Sequence, residues 1–420
     1  MPPRNYRAEA QAIWWAGVHA VDPALLVRNT LASIDIPKTG RVLVTGCGKA
    51  GAAMTQALVE TLPNHNLVGQ VNLPEGHAPT IGPITLHPAR PAGSNFPTEA
   101  GVWGAEQMLE LYRTAGPDDV GICLISGGGS ALLPAPVGAI SLQEKSAITK
   151  ALSSAGANIT ELNTVRKHLS RIKGGRLAQA FKGRRLISLI LSDVLGDDLS
   201  VIASGPTAVD ETTFAEAVEV LKKFNVWNSC SPGVQEYLLN STDETMKTLP
   251  PNIENHIIGS NALAVQASAA KAKELGYKVM YRLNESGDTT ELAQHYACLY
   301  RLTPEDFSLH CLIGGGETTV NLGDSPGKGG RNQEFVLAFV EEMGELMEHV
   351  TILSGGTDGE DGPTDAAGAI ANGQTLQCPL NRADYLARHD AYHFFEQADG
   401  LLKTGLTGTN VMDIRVMLIH

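Results

Sequence analysis

The chain has 420 residues, of which 43% are hydrophobic and 18% are charged, and it contains 44 glycines. This length exceeds what one hydrophobic core usually serves, so we expect two α/β domains rich in tight turns. The formal net charge of −13 argues against a nucleic-acid partner, and no apolar run approaches the roughly 18 residues of a membrane span. The six cysteines lie far apart without a C-x-x-C pair, which argues against a disulfide framework and a zinc site. We expect a cytoplasmic protein.

The first half of the chain alternates predicted helices and strands. Residues 8–20 are typical of an amphipathic helix, and Asp22-Pro23 is typical of the start of a second one. Buried strands are predicted at 41–45, 120–125 and 186–191, and helices at 50–61, 98–114, 141–153 and 160–171. Residues 67–97 are rich in proline and are expected to be loop-rich, and no helix or strand is assigned to them. This alternation predicts a parallel sheet that binds ligands beyond the carboxyl ends of its strands.

The second half repeats the pattern after a polar segment at 239–252, which is the predicted linker. Strands are predicted at 256–258, 277–280, 310–313, 350–353 and 411–419, and helices at 261–275 and 332–347. The predicted domains are residues 1–245 and residues 250–420. The predicted fold class is α/β, with two Rossmann-like domains whose mainly parallel sheets face each other across a cleft.

The turn after the first predicted strand contains Gly46, Gly48 and Gly51 in the dinucleotide fingerprint G-x-G-x-x-G. That fingerprint expects an acidic ribose anchor at the end of a second strand, whereas the candidate Glu75 falls in the proline-rich segment. Lys49 stands among the glycines, where its charge would meet a bound anion. We therefore favour a turn that binds phosphate or carboxylate, with a dinucleotide site and a plain tight turn as the alternatives.

Two further motifs in the first half offer groups that suit an anion. The run Ser126–Ser130 has two hydroxyls around three glycines and is either a phosphate-binding loop or a flexible connector. The segment with Arg166 and Lys173 is the most basic part of an acidic chain, and it is either a phosphate-binding element or a solvated helix face.

Carboxylates follow two of the predicted strands. Asp193 comes directly after the strand at 186–191, where it would hold Mg²⁺ or accept a proton from an attacking alcohol. Asp358 follows the strand at 350–353 in a loop that fails the calcium-loop spacing, so a Mg²⁺-binding or hydroxyl-binding loop is predicted.

A strand that ends in Gly314–Gly316 is followed by Glu317, and a turn at 326–330 leads to Arg331 at a predicted helix start. Glycines let backbone N–H groups approach an anion, and a helix N-terminus adds positive potential. This segment predicts a site for a charged ligand.

Many short motifs occur in order along the chain. They are Gly46–Ala50, Ile125–Leu132, Asn163–Ser170, Ile172–Ala178, Leu191–Val194, Ser204–Thr207, Gly314–Val320, Gly329–Glu334, Thr404–Gly405 and Thr409–Asn410. Together they resemble the class II glycerate 2-kinases, a family also described as hydroxypyruvate reductases, whose C-terminal half is the MOFRL domain. The resemblance runs from about residue 8 to the end of the chain.

The resemblance implies a kinase that uses ATP and Mg²⁺ to phosphorylate the 2-hydroxyl of D-glycerate; an NAD(P)H-dependent hydroxypyruvate reductase is the alternative. It implies Lys49, Asp193, Glu317 and Arg331 as the catalytic residues. The residues predicted to bind substrate or nucleotide are Gly46, Gly48, Ser126, Gly127, Gly128, Gly129, Ser130, Arg166, Lys173, Gly314, Gly315, Gly316, Asn332, Thr409 and Asn410, and the predicted metal ligands are Asp193, Glu317 and Asp358. The segment Arg90–Glu99 departs from the His-Pro-x-Pro-Asp run of many relatives. A homodimer is left open.

Overall fold

A computed structural model describes residues 4–138, 140–302, 309–323 and 327–420. The chain forms two compact units, one of which is Pro23–Ile258, while the other combines the chain up to Asp22 with Gly259–His420. Both units are α/β, which confirms the predicted class. The mainly parallel arrangement holds for the first sheet, whereas most strand pairs of the second sheet are antiparallel, and the Rossmann-like character stays a prediction. The predicted domain division and the predicted cleft stay predictions; the compact units differ from that division by grouping helix α1 (Tyr6–Ala20) with the C-terminal part.

The Pro23–Ile258 unit is built on a seven-stranded sheet with the strand order β3-β4-β2-β1-β5-β6-β7. Its strands are β1 (Val42–Cys47), β2 (Leu67–Pro74), β3 (Thr80–Ile81), β4 (Ile84–Arg90), β5 (Val120–Ile125), β6 (Arg185–Leu191) and β7 (Ile253–Gly259). Its helices are α2 (Pro23–Ala32), α3 (Gly51–Thr61), α4 (Glu99–Arg113), α5 (Gly129–Leu132), α6 (Leu142–Ser154), α7 (Ile159–His168), α8 (Arg176–Ala180), α9 (Phe214–Lys223) and α10 (Pro232–Asn240). Apolar residues of β1, β5 and β6 pack against α4 and α8 and form a hydrophobic core of this unit.

Two features of this unit differ from the predictions. The segment 67–97, which is expected to be loop-rich and has no predicted element, contains β2, β3 and β4. Pro88 is tolerated in β4 because β3 pairs only with Ile84 and Thr85 of that strand, which leaves its outer side open at Pro88. The strand predicted at 256–258 was assigned to the second half, but β7 is the last strand of this first sheet. The predicted linker is likewise bonded to this unit, since the N–H of Met246 donates to the carbonyl of Gly174 at 2.9 Å.

The second unit is built on a six-stranded sheet with the order β12-β11-β10-β13-β9-β8. Its strands are β8 (Lys278–Glu285), β9 (His310–Gly316), β10 (Val350–Gly356), β11 (Gly368–Ala371), β12 (Leu401–Leu402) and β13 (Asp413–Ile419). Its helices beyond α1 are α11 (Asn261–Glu274), α12 (Thr289–Arg301), α13 (Arg331–Met343), α14 (Arg382–Ala387) and α15 (Ala391–Gln397). Strand β13 lies antiparallel between β9 and β10, while β8 and β9 are parallel.

Helix α1 is anchored in this second unit by a buried tryptophan. Trp14 is fully buried, and its Nε1–H donates to the carbonyl of Gly355 at 3.1 Å. In the described part of the chain, no helix is long and apolar enough to cross a bilayer.

Candidate active site

Neighbouring strands β4, β2, β1, β5 and β6 are paired in parallel, so their carboxyl ends meet at one edge of the first sheet. At that edge lie Arg90 at the end of β4, Lys49 after β1, Ser126 after β5 and Asp193 after β6. Ligands of such sheets bind at this edge. The structure thus brings together the residues that sequence analysis predicted for this unit, and it adds Arg90.

The first glycine turn is bonded to protein acceptors at three successive N–H groups. The acceptors are Asn72 O at 3.3 Å for Gly48, Gly127 O at 2.9 Å for Lys49, and Ser126 Oγ at 3.1 Å for Ala50. Gly48 has a φ of 131°, and a Cβ there would lie 2.1 Å from Ser126 Oγ, so this close approach of two loops requires glycine. A Cβ at Gly46 would likewise lie 2.2 Å from the carbonyl oxygen of Leu124. Both glycines serve packing, and their binding role stays a prediction.

Glu75 directly follows β2, at the start of the loop that leads to β3, and its N–H donates to the carbonyl of Arg90 at 2.9 Å. This is where a dinucleotide-binding fold carries its ribose anchor. The missing anchor is therefore no longer an argument against a nicotinamide cofactor. The argument against it is that the N–H groups of Gly48 and Lys49, which would face a pyrophosphate, are already bonded.

The loop Ser126–Ser130 places a glycine against Asp193. Gly128 has a φ of 77°, and its N–H donates to Oδ2 of Asp193 at 3.3 Å. Burial raises the pKa of Asp193, and the N–H of Gly128 and the charge of Lys49 oppose that rise only in part. A carboxylate with a raised pKa is better suited to take a proton from a hydroxyl group.

Lys145, Arg166 and Lys173 form a cluster of cations beside Ser130, which we call the cationic cluster. Nζ of Lys173 donates to both O and Oγ of Ser130 at 2.9 Å, and Nη2 of Arg166 donates to the same Oγ. Nζ of Lys145 donates to the carbonyl of Leu169 at 2.8 Å. Burial, together with repulsion from Arg166, lowers the pKa of Lys145 and of Lys173 well below the usual lysine range.

A cavity of about 340 Å³ adjoins the cationic cluster. Its described lining includes Lys150 as well as the three clustered cations, but no Asp or Glu. Because several cations line this cavity and no carboxylate does among its described residues, it suits an anion. Lys173 is buried, so the alternative that it belongs to a solvated helix face is wrong. The binding role of Arg166 and Lys173 stays a prediction.

In the second unit, two carboxylates hold Arg331, the first residue of α13. Its Nε and Nη2 donate to Oδ2 and Oδ1 of Asp413 at 2.7 and 2.9 Å, and its Nη1 lies 2.9 Å from Oε1 of Glu317. Burial would lower the pKa of Arg331, but Asp413 and Glu317 raise it above the usual value. Burial would in turn raise the pKa of Asp413, but Arg331 lowers it. Arg331 is thus a fixed cation that also orients Glu317.

The N-terminus of α13 is bonded to Asp361. Its two carboxylate oxygens accept the N–H groups of Asn332 at 3.0 Å and Gln333 at 2.8 Å. Burial nevertheless raises the pKa of Asp361 to about 6. The N–H groups at the start of α13, which were predicted to bind a ligand, therefore donate to a protein carboxylate. The side chain of Asn332 is also engaged, donating to Asp413 at 3.0 Å and accepting from Ser354 at 2.6 Å.

The three glycines that precede Glu317 are buried inside β9. A Cβ would lie 1.9 Å from Tyr296 Oη at Gly314, 2.0 Å from Asn261 Oδ1 at Gly315, and 2.1 Å from Glu285 O at Gly316. Their absent side chains therefore allow close packing. Binding of a ligand by these glycines stays a prediction, and Pro326 of the following turn lies outside the described residues.

Asp358 is half-buried in the turn after β10, where its Oδ1 accepts the N–H of Glu360 at 3.2 Å. A Cβ at Gly356 would lie 3.2 Å from Oδ1 of Asp358 and 3.5 Å from Oδ1 of Asp413. The two carboxylates therefore flank the same glycine, close to Arg331.

Thr409 and Asn410 are bonded within the second unit. Oγ1 of Thr409 donates to the carbonyl of Val21 at 2.7 Å, which ties the end of α1 to this unit. Oδ1 of Asn410 accepts the N–H of Met412 at 3.2 Å. Both side chains serve the local structure, and their binding role stays a prediction.

Comparisons with known proteins agree with the motifs. A family described as "Domain of unknown function (DUF4147)" matches residues 9–239, and the "MOFRL family" matches residues 310–413. A "Glycerate kinase" from Danio rerio is 35% identical over 99% of this chain and 98% of that protein. A "D-glycerate 2-kinase" from Thermotoga maritima is 36% identical over 99% of both chains. The chain belongs to the MOFRL-domain glycerate kinase family.

The solved structures include a member of the same glycerate kinase family. The crystal structure of a glycerate kinase from Thermotoga maritima matches with a TM-score of 0.90 and 36% identity, covering 100% of both chains. The family resemblance inferred from the motifs is thereby confirmed.

A metal site for this glycerate kinase family member stays a prediction. Within the described ranges, no group of three or more His, Cys, Asp or Glu side chains is placed to hold a metal ion. Kinases usually bind Mg²⁺ through one or two carboxylates, the nucleotide phosphates and water, so such a group is not required. Asp193, Glu317 and Asp358 each fit as a single oxygen ligand.

Four residues of the candidate site of this family member were not predicted from the sequence: Arg90, Lys145, Asp361 and Asp413. Arg90 was not predicted because the prolines around it indicated loops, whereas it is the last residue of strand β4. A signal for Asp413 was present, since Asp413 and Arg415 place two charges at alternate positions of an otherwise apolar strand. No local signal marked Lys145 or Asp361, because their partners lie far away in the sequence.

Proposed function

We propose that this protein is a glycerate 2-kinase that uses ATP and Mg²⁺ to convert D-glycerate into 2-phosphoglycerate. The full-length relatives named glycerate kinase or D-glycerate 2-kinase support this reaction. The observation that carries the proposal is the sheet edge where the half-buried Asp193 meets Gly128 with Lys49 close by. Cytoplasmic location and a homodimer stay predictions.

In the proposed reaction, the 2-hydroxyl oxygen of D-glycerate attacks the γ-phosphorus of ATP, and the bond from that phosphorus to the β–γ bridging oxygen breaks. Asp193 orients the hydroxyl and accepts its proton late in the transfer, as its raised pKa favours. Lys49 stabilises the charge on the transferring phosphoryl group. ADP leaves with the bridging oxygen.

We propose that the cationic cluster and Ser130 bind the phosphates of ATP. A triphosphate carries several negative charges, and the cluster offers several buried cations without a carboxylate in its described cavity. Arg331, Glu317 and Asp358 belong to the other unit, where Arg331 lies 2.9 Å from Glu317, and their part in the reaction stays a prediction. Mg²⁺, when bound with ATP, neutralises phosphate charge.

The test is a coupled assay for ADP release by the purified protein with ATP, Mg²⁺ and D-glycerate. We expect ADP release to require all three, and the phosphorus spectrum of the product to be that of 2-phosphoglycerate. The same preparation should not consume NADH or NADPH with hydroxypyruvate. Loss of NAD(P)H absorbance that depends on hydroxypyruvate, without ADP release that depends on glycerate, would contradict the kinase proposal and favour the reductase.

Asp193→Asn tests the proposed proton acceptor. An amide keeps the size of the side chain but does not accept the proton, so we expect kcat to fall by about 10²- to 10⁴-fold. Asp118→Asn, at an exposed turn of the same unit, is the control and should keep normal turnover.

A further inference from the structure

Arg90 is a buried cation that has no counter-ion among the described residues. The residue is only 2% exposed, and its Nε is buried without a hydrogen-bond partner in the same part of the chain. No carboxylate among the described residues forms an ion pair with it. Burial lowers the pKa of Arg90, and no neighbouring charge raises it.

Arg90 lies beside the groups of the proposed reaction. It is the last residue of β4, at the same sheet edge as Lys49 and Asp193. A Cβ at Gly128 would lie 3.3 Å from Nη2 of Arg90 and 3.7 Å from Cγ of Lys49, and the N–H of Gly128 donates to Asp193. One glycine is therefore flanked by the guanidinium, the lysine and the carboxylate.

An unpaired buried guanidinium destabilises the folded chain, because its desolvation is not offset by a partner. The buried cations of the cationic cluster differ, since they donate to carbonyl and hydroxyl oxygens of the protein. An anionic ligand is the partner that Arg90 lacks.

The proposed reaction contains two kinds of anion, the polyphosphate of ATP and the carboxylate of D-glycerate. The cationic cluster matches the several charges of a polyphosphate, whereas Arg90 is a single cation. Its planar guanidinium matches a carboxylate, which it binds through two parallel N–H donors. Resting on the proposed function, we infer that Arg90 binds the carboxylate of the 2-hydroxy acid substrate and so selects acids over the corresponding alcohols.

The experiment compares the unmodified protein with Arg90→Lys, Arg90→Met and the control Arg113→Met, which alters an exposed arginine at the end of α4. Calorimetric titration with D-glycerate and with glycerol, both without nucleotide, reports binding apart from catalysis. KM for D-glycerate and KM for ATP are measured separately. Thermal unfolding verifies that each variant is folded.

We expect Arg90→Met to weaken D-glycerate binding and to raise KM for D-glycerate by about 10- to 100-fold, as loss of a charged hydrogen-bond pair implies. KM for ATP should change less than about twofold. For Arg90→Lys, KM for D-glycerate should lie between the values of the unmodified protein and of Arg90→Met. Without ligand, the Tm of Arg90→Met should equal or exceed that of the unmodified protein, because an unpaired charge has been removed. The Tm increase produced by D-glycerate should be lost.

Unchanged D-glycerate affinity in folded Arg90→Met, or a rise in KM for ATP alone, overturns the inference. If the unmodified protein binds D-glycerate through Arg90 but releases no ADP, the inference stands and the proposed kinase reaction fails. If ADP release is normal in Arg90→Met at low D-glycerate, the kinase stands and the inference fails.

Discussion

At the residue scale, the second unit concentrates charge around Arg331. Asp413 lies between Arg331 and Arg415, which donates to it at 3.4 Å, and Arg415 also donates to Glu285 at 3.3 Å. Asp413 and Arg415 are both fully buried. Such groups are stable only as a set, because each removal leaves another charge buried without its partner.

The first prediction concerns Arg331 in catalysis. We expect Arg331→Ala to lower kcat by about 10³-fold if Arg331 stabilises the transferred phosphoryl group. Arg331→Lys keeps a positive charge and should retain more activity, and thermal unfolding should be used to compare only folded protein. Near-normal turnover of folded Arg331→Ala would remove this residue from the mechanism.

The second prediction concerns Asp413 and stability. Asp413→Asn leaves Arg331 and Arg415 without their shared carboxylate, so we expect the free energy of unfolding to fall by about 3–5 kcal/mol. Urea unfolding measures this change. Asp384→Asn removes an exposed carboxylate of the same unit and should change the free energy by less than about 0.5 kcal/mol.

The third prediction concerns pH and Asp361. Its folded-state pKa is raised to about 6, so the folded protein binds more protons than the unfolded chain between about pH 4 and pH 6. This group therefore makes stability fall as pH rises through that window, by at most about 3 kcal/mol. Urea unfolding of the unmodified protein and of Asp361→Asn between pH 4 and pH 6.5 measures the difference. A parallel pH dependence in both proteins would contradict the assignment.

At the element scale, glycines at strand ends have two different structural reasons. Those of β9 are buried where side chains of α11, α12 and the end of β8 approach the strand. Gly128 instead adopts a left-handed conformation that turns its N–H toward Asp193. Similar sequence motifs therefore serve packing in one unit and the proposed site in the other.

The fourth prediction separates packing from binding at β9. A Cβ at Gly315 would lie 2.0 Å from Oδ1 of Asn261 and 2.4 Å from Val265, so we expect Gly315→Ala to lower the free energy of unfolding by about 1–3 kcal/mol. Gly323→Ala is the control, since a Cβ there would have no atom of the described residues within 4 Å. Urea unfolding of both variants measures the free energy of unfolding. Equal stabilities of the two variants would contradict the view that close packing requires glycine at position 315.

At the scale of the whole molecule, the two ends of the chain belong to one unit. Helix α1 packs against α11, and Gly17 approaches so closely that a Cβ would lie 2.4 Å from Oγ of Ser268. The other unit, Pro23–Ile258, is inserted in sequence between these two parts. The N-terminal residues therefore contribute to the stability of the C-terminal unit.

The fifth prediction follows from this arrangement. Trp14→Ala removes a fully buried side chain, so we expect a loss of about 3–5 kcal/mol in the free energy of unfolding. Hydrogen exchange should become faster in peptides from Gly259–His420 and stay unchanged in Pro23–Ile258. Trp103→Ala, at a half-exposed position of the other unit, should not produce that pattern. Faster exchange confined to Pro23–Ile258 would contradict the grouping.

Local signals in the sequence determined much of this protein. Apolar runs that end in glycine predicted β1, β5, β9 and β10, and their spacing predicted the α/β class, because these features depend on neighbouring residues. The same signals predicted Lys49, Asp193 and Arg331 as candidates. The motif order was enough to name the family.

Only the tertiary structure decided which groups meet. Asp413, one of the two carboxylates that hold Arg331, lies 82 residues further along the chain. Strand β7 joins the first sheet although it follows the segment that resembles a linker. The prolines argued against a strand at β4, because proline is excluded from central strands. It is tolerated where one side of a strand is unpaired, so β4 forms and ends in Arg90. Burial and the lack of a counter-ion among the described residues are properties of the packed chain, so no sequence pattern revealed them for Arg90.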